Sequence, residues 1–331
     1  MKLATRKNGR RDGELLLVSR DLNHAVIAAD IVPTLQAALE DWDAVAPALC
    51  ERYDRLNANR AEQVFALDTA TLAAPLPRAY QWADGSAYLV HSELVRAARG
   101  AVVDDELWHD PLMYQGGSDN FLGPRDDVAL ESEDWGIDLE GEVAVITDDV
   151  PMGARPKQAG RHIRLLMLVN DISLRGLVPA ELKKGFGFFQ SKPSTAFSPV
   201  AVTPDELGDA WDGARLHLPL TVHVNDAVLG TPDAGTDMVF DFPRLISHAA
   251  RSRVLGAGTV IGSGTVSNAD RSVGSACIAE RRALETVRNG APVTPFLNFG
   301  DRMRVEMFDR EGRSIFGAID QRVVRHVPVV P

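Results

Sequence analysis

Cysteine is scarce. The 331-residue sequence holds only Cys50 and Cys277, far apart and outside any metal-ligand spacing, which implies no disulfide framework and fits a reducing cytoplasm. Long apolar runs are missing too. Nothing approaches the ~18 residues of a membrane-spanning helix, and Met1-Lys2-Leu3-Ala4-Thr5-Arg6-Lys7 lacks a signal-peptide core. Basic residues are outnumbered, 35 Lys and Arg against 46 Asp and Glu, and the net charge of −11 argues against nucleic acid or an anionic membrane as main partner. Familiar catalytic motifs are also absent: no P-loop, no H-E-x-x-H and no G-x-S-x-G elbow. In Gly256-Ala257-Gly258-Thr259-Val260-Ile261-Gly262 the last glycine falls one residue too far for a dinucleotide fingerprint. The expectation is a soluble cytoplasmic protein.

What is present has the apolar (45%) and charged (24%) content of an ordinary globular chain. Leu15-Leu16-Leu17-Val18 after Asp12-Gly13, and Ala25-Val26-Ile27-Ala28 after Asn23-His24, predict hairpins. Thr34 is placed to cap a helix whose apolar stripe runs Leu35, Leu39, Trp42, Val45, Leu49, Tyr53, Leu56, with Pro47 expected to kink or divide it. The proline-bearing stretch 72–78 marks the boundary between a small N-terminal domain (1–75) and a larger one (76–331). Beyond it, 84–99 reads as a loop entering a helix, 111–117 as a loop, and 161–170 as a buried strand or helix end. From Leu216 onward strands dominate, with one helix near 242–252 and a closing hairpin around 309–312. The fold class is therefore α+β and β-rich, a sandwich or rolled barrel in preference to a doubly wound sheet.

The chemistry centres on Asp138-Leu139-Glu140-Gly141-Glu142-Val143-Ala144-Val145-Ile146. On a strand, Glu140 and Glu142 share a face with Ala144 and Ile146, roughly 7 Å apart, while Leu139, Val143 and Val145 line the other. A bare E-x-E is more often a solvated edge, but apolar residues on both faces bring the buried reading level with it. Buried carboxylates need partners or a metal. Asp171, after an apolar run, and Asp84 are further oxygen donors suited to a hard cation, though Asp171 is as readily a cap and Asp84 is more often a turn residue or cap.

Four blocks carry a resemblance: Glu140-Gly141-Glu142, Asn170-Asp171-Ile172-Ser173-Leu174-Arg175, Lys192-Pro193-Ser194-Thr195-Ala196-Phe197-Ser198-Pro199, and Gly262-Ser263-Gly264-Thr265. In this order they resemble the signature blocks of the fumarylacetoacetate hydrolase family over roughly residues 75–325. The resemblance implies a mixed β-roll or sandwich catalytic domain behind a small N-terminal α+β domain, and a homodimer. It implies Mg²⁺, with Mn²⁺ or Ca²⁺ as substitutes, held by Asp84, Glu140, Glu142 and Asp171. Asp84 and His91 stand seven residues apart, as do the fourth metal carboxylate and the general base of fumarylacetoacetases. This makes His91 the base, with Glu280 (or Glu285 behind it) orienting its ring. Lys192 is then the oxyanion stabiliser, helped by the main chain at Gly264 and Thr265, and Tyr114 is a substrate contact. Arg99 (or Arg96) is a candidate for a substrate carboxylate. The implied reaction is hydrolytic carbon–carbon cleavage of a small 1,3-dicarbonyl acid. Decarboxylation, hydration or isomerisation, or an inactive binding protein, are the alternatives. Four positions depart from the pattern. Gly176 follows Arg175, Val178 and Leu182 stand where polar substrate contacts are expected, and Ser191 precedes Lys192 where glycine is usual.

Overall fold

The structure, a computed structural model, describes residues 1–98 and 105–328. The chain opens with strands β1 (Lys2–Arg6), β2 (Glu14–Val18) and β3 (His24–Ile27), helices α1 (Leu35–Glu40) and α2 (Trp42–Asn57), and β4 (Phe65–Ala66). It continues through β5 (Trp82–Gly85), α3 (Leu89–Ala97), β6 (Met113–Gly116), β7 (Val128–Leu130), β8 (Ile137–Asp138) and β9 (Gly141–Thr147). Next come α4 (Pro156–Ala159), β10 (Ile163–Asn170), β11 (Ser173–Leu174), α5 (Val178–Leu182), β12 (Ala196–Phe197) and β13 (Ala201–Val202). The remainder is β14 (Leu220–Val224), β15 (Ala227–Gly230), α6 (Phe242–Ala249), β16 (Val260–Gly262), α7 (Ile278–Asn289), β17 (Arg302–Met307) and β18 (Ile319–Arg325).

Two sheets dominate. The larger runs β4-β3-β2-β1-β13-β10-β9-β16-β5-β6, with β12 alongside β10, and the smaller runs β15-β14-β17-β18-β7. Pairing is antiparallel except for β16 with β5 and β18 with β7. This is the strand-rich α+β sandwich expected. The N-terminal strands extend the same large sheet, because β1 pairs with β13.

Side-chain alternation along these strands builds two cores. Val143, Val145, Leu166 and Leu168 face the small sheet and meet Val222, Val305 and Ile319. Ala144, Ile146, Leu165, Met167 and Val169 face the other way, in one cluster with Leu35, Leu39, Trp42, Leu49 and Tyr53 of α1 and α2. Each side chain buried so fully contributes roughly 1.5–3 kcal/mol.

Four local expectations change. The helix divides at Asp41 (φ −133°), and Pro47 sits inside α2 on its exposed side. Only the Asp43 carbonyl then loses its intrahelical donor, near the helix start where the loss is small. Asp84 lies on a strand, not in a loop, since β16 and β6 pair with β5 from either side. Residues 113–116 form that edge strand despite Gly116. Helix α7, which the strand-rich reading passed over, is capped by Cys277, an uncommon capping residue. The Thr34 cap forms as expected, its Oγ1 accepting from the Ala37 N–H. Among the described residues no helix is long and apolar enough to cross a membrane.

Candidate active site

Three carboxylates converge where neighbouring strands of the large sheet end. Asp84 ends the Trp82-x-Asp84 face of β5, Glu142 opens the Ala144–Ile146 face of β9, and Asp171 follows β10 on the face of Val169. Register sets them side by side: Val169 is opposite Glu142, and Gly262 of β16 is opposite both Ala144 and Asp84. The strand between β9 and β5 must have glycine there. A Cβ at 262 would lie 2.2 Å from the Asp84 Oδ1 and 2.4 Å from the Trp82 ring. Ligand oxygens of Asp84, Glu142 and Asp171 all lie within 4.8 Å of one another, and all three residues are buried.

Their partners differ. Asp171 accepts from the Tyr114 hydroxyl (2.7 Å), from Thr195 Oγ1 (2.9 Å) and from Lys192 Nζ. Asp84 Oδ1 accepts the Gly264 N–H at 2.9 Å. Neither oxygen of Glu142 has any hydrogen-bond partner. Burial and mutual repulsion push the Asp84 and Glu142 carboxyls well above the usual carboxylate range. A hydrogen bond between those two exists only if one keeps a proton. A divalent cation replaces that proton and satisfies the stranded oxygens, and an all-carboxylate donor set is the kind a hard ion takes. The residues fit such an ion.

Glu140 borders this group without joining it. Its carboxylate is held by Arg175 and Lys192, and Arg175 is anchored in turn on Asp138 at 2.8 Å. Burial opposes the charged form, but Arg175 and then Lys192 overcome it and hold the Glu140 carboxyl well below its ordinary value. Lys192 spans Glu140 and Asp171 with its ammonium beside the Tyr114 ring, 5.2 Å from the centroid. Burial works against its charge too, but Asp171 and Glu140 raise the Lys192 pKa.

The departure at Ser191 has a local reason. Helix α5 places the Glu181 carboxylate where it accepts from the N–H groups of Phe189 (2.9 Å), Gln190 (2.6 Å) and Ser191 (3.2 Å), and from the Ser191 hydroxyl (2.5 Å). Burial would raise this carboxyl, but the Ser191 hydroxyl and the three N–H donors bring it down to about 2. This clasp is complete above the ordinary carboxylate pKa and is lost only as pH falls through about 2. Because Lys192 is the next residue, the clasp sets the direction of its ammonium. Glu181→Ala should lower kcat roughly 10- to 100-fold while leaving bound metal unchanged, as steady-state kinetics and elemental analysis would show.

A second group faces the carboxylates. His91, on α3, turns Nδ1 toward Glu280 Oε2 of α7 at 3.9 Å. The other Glu280 oxygen accepts from Ser267 Oγ and from Arg271 (2.8 Å), and Arg271 also donates to the Val90 carbonyl at 3.0 Å. Glu285 is turned away, bound by Thr294 and the Val293 N–H. Glu280 is thus the carboxylate that meets His91. Gly264 adopts φ +75° and its N–H is committed to Asp84, so it positions that carboxylate and is not free for an oxyanion. Thr265 is buried next to it. Arg99 lies outside the described residues. Arg271, Arg175, Thr195 and Glu181 entered no sequence argument as partners. Arg175 and Thr195 carried a signal, since both lie in signature blocks, and Arg271 and Glu181 carried none.

Comparison with known proteins decides the kinship. Residues 81–324 match the family described as fumarylacetoacetate hydrolase C-terminal, and residues 1–78 match fumarylacetoacetase N-terminal domain 2. The chain belongs to the fumarylacetoacetate hydrolase family. A curated relative, 2,4-didehydro-3-deoxy-L-rhamnonate hydrolase of Sphingomonas sp. (strain SKA58), is 28% identical over 47% of this chain and 53% of its own length. The match thus spans about half of that relative. Solved structures sharing the fold include maleylpyruvate hydrolase from Sphingobium sp. SYK-6 with manganese(II) and pyruvate. Its TM-score is 0.65 at 17% identity, covering 99% of this chain and 100% of that one. Another is 2-hydroxyhepta-2,4-diene-1,7-dioate isomerase from Mycobacterium marinum, with a TM-score of 0.54 at 18% identity over 80% and 82%. The fold therefore serves both hydrolases and isomerases.

Proposed function

We propose that this fumarylacetoacetate hydrolase family member lies nearer the fumarylacetoacetase branch. In this reading it is a Mg²⁺-dependent hydrolase that breaks a carbon–carbon bond in a 1,3-dicarbonyl acid, with Mn²⁺ or Ca²⁺ able to replace Mg²⁺. The observation that carries it is the His91–Glu280–Arg271 arrangement beside the carboxylate cluster. Isomerisation and decarboxylation need no water-activating base, whereas hydrolysis does. Asp84, Glu142 and Asp171, with Glu140 adjoining, would hold the cation, which would supply Lewis-acid polarisation of the substrate carbonyls.

The protein's own groups do the rest. With Nδ1 facing Glu280, His91 has Nε2 left to take a proton from water, and the hydroxide attacks one carbonyl carbon. Glu280, fixed by Arg271 and Ser267, stabilises the imidazolium as it forms. Lys192 Nζ donates to the developing oxyanion, with the Tyr114 hydroxyl beside it. Collapse of the tetrahedral adduct breaks the carbon–carbon bond, and the departing enolate takes the proton from His91.

The test is loss of dicarbonyl absorbance across a panel of acylpyruvates and 3,5-dioxo acids, with Mg²⁺ and with EDTA. The expected result is Mg²⁺-dependent turnover giving two carboxylic or keto acid products. Turnover that only shifts a double bond, or releases carbon dioxide, replaces hydrolysis with isomerisation or decarboxylation. No turnover on any member leaves a binding protein.

A further inference from the structure

One group of donors near the carboxylate cluster has a different chemistry. An imidazole nitrogen of His91, the Cys277 sulfur and a Glu280 oxygen lie within 4.8 Å of one another. His91 Nδ1 and Glu280 Oε2 are buried and have no hydrogen-bond partner among the described residues, and Glu280 is only 1% exposed. The free Glu280 oxygen is fixed in direction, because Ser267 and Arg271 hold the other one. The sulfur is fixed as well, since it caps α7 by accepting the Glu280 N–H at 3.3 Å.

We propose that His91, Cys277 and Glu280 form a second cation site, selective for Zn²⁺, whose filling takes the imidazole out of catalysis. The binding stands on this geometry alone; the inhibition rests on the reading of His91 as the base. One imidazole nitrogen, one thiolate and one carboxylate oxygen, with a fourth position open to water, are donors zinc accepts in tetrahedral geometry. Ligand-to-ligand edges in such a site are about 3.3–3.8 Å, given bonds of about 2.0–2.3 Å. The observed spacing closes to that by side-chain rotation of under about 1 Å per residue. Thiolate and carboxylate offset the two positive charges of the ion, and the Arg271 guanidinium that shares the Glu280 carboxylate keeps partial contact with solvent. Burial pushes the Cys277 thiol well up, so its proton leaves for solvent only as the cation replaces it. Mg²⁺ and Ca²⁺ avoid sulfur. The two neighbouring sites therefore sort cations by softness.

The experiment uses the full chain, saturated with Mg²⁺, in a Cys50→Ser background so that Cys277 is the one thiol. Cobalt(II) is the optical probe and Zn²⁺ the inhibitor. One equivalent of Co²⁺ should produce a near-ultraviolet sulfur-to-cobalt absorption that Cys277→Ser abolishes. Serine is a preferred helix cap, so this variant should keep its Tm and its Mg²⁺-dependent activity. Its half-inhibiting Zn²⁺ concentration should rise at least about tenfold. Equal zinc inhibition with and without Cys277, or no sulfur-to-cobalt band in the parent, overturns the proposal. If the protein hydrolyses none of the panel, the cobalt band and its loss in the serine variant still decide whether the site exists.

Discussion

Glu142→Gln should leave the metal-free protein as stable as the parent or more so, and should remove the rise in Tm that Mg²⁺ produces. Both oxygens of Glu142 are buried without a partner, among Asp84, Asp171 and Glu140. Holding that carboxyl there, whether charged or protonated outside its ordinary range, costs stability, and a neutral side chain of the same shape avoids the cost. The new amide can also donate to Asp84. With the ion present the balance reverses. A ligand at one hundred times its Kd stabilises a protein by ~2.7 kcal/mol, and loss of a direct carboxylate ligand should weaken binding about 100-fold or more, since changes to residues that only orient a ligand cost about 10- to 100-fold. Activity should fall in parallel. Calorimetry on EDTA-treated protein, with and without added Mg²⁺, measures both effects. A less stable metal-free variant that still responds to Mg²⁺ would mean that Glu142 serves packing instead.

His91→Ala should cut hydrolytic kcat by about 10²- to 10⁴-fold, the usual worth of a positioned general base, with Mg²⁺ affinity unchanged. The separation follows from the structure, in which His91 faces Glu280 and takes no part in the Asp84, Glu142 and Asp171 group. Glu280→Gln should give a smaller loss, because the imidazole keeps a polar neighbour of the same shape but not a negative one. Rate against pH, with metal content measured on the same samples, checks this. Full activity in His91→Ala would remove the water-activation step and favour the enolate chemistry of an isomerase.

The features legible in the sequence are those fixed by short-range alternation. The two faces of Leu139–Ile146 separate into two cores as the spacing of two requires, and the run 161–170 becomes the strand that delivers Asp171. Asp84 was harder, because Trp82-Ala83-Asp84-Gly85 is strand-like only once β16 and β6 pair with it. Tertiary hydrogen bonding decided its conformation, and local propensity did not. Helix α7 hid behind a cysteine cap, although Gly290 in the left-handed conformation closes its other end as usual. The clasp at Glu181 joins main-chain donors eight to ten residues away, and no side-chain pattern announces such a partner.

The register of β9 against β10 has one more consequence. A slip of a single residue would swing Glu142 to the opposite side of the sheet, among the valines and leucines that meet the small sheet. Only correctly aligned strands offer an ion three oxygens at once, so a cation bound there would also favour correct assembly. Refolding in the presence of Mg²⁺ would then enrich the molecules whose strands have met in frame.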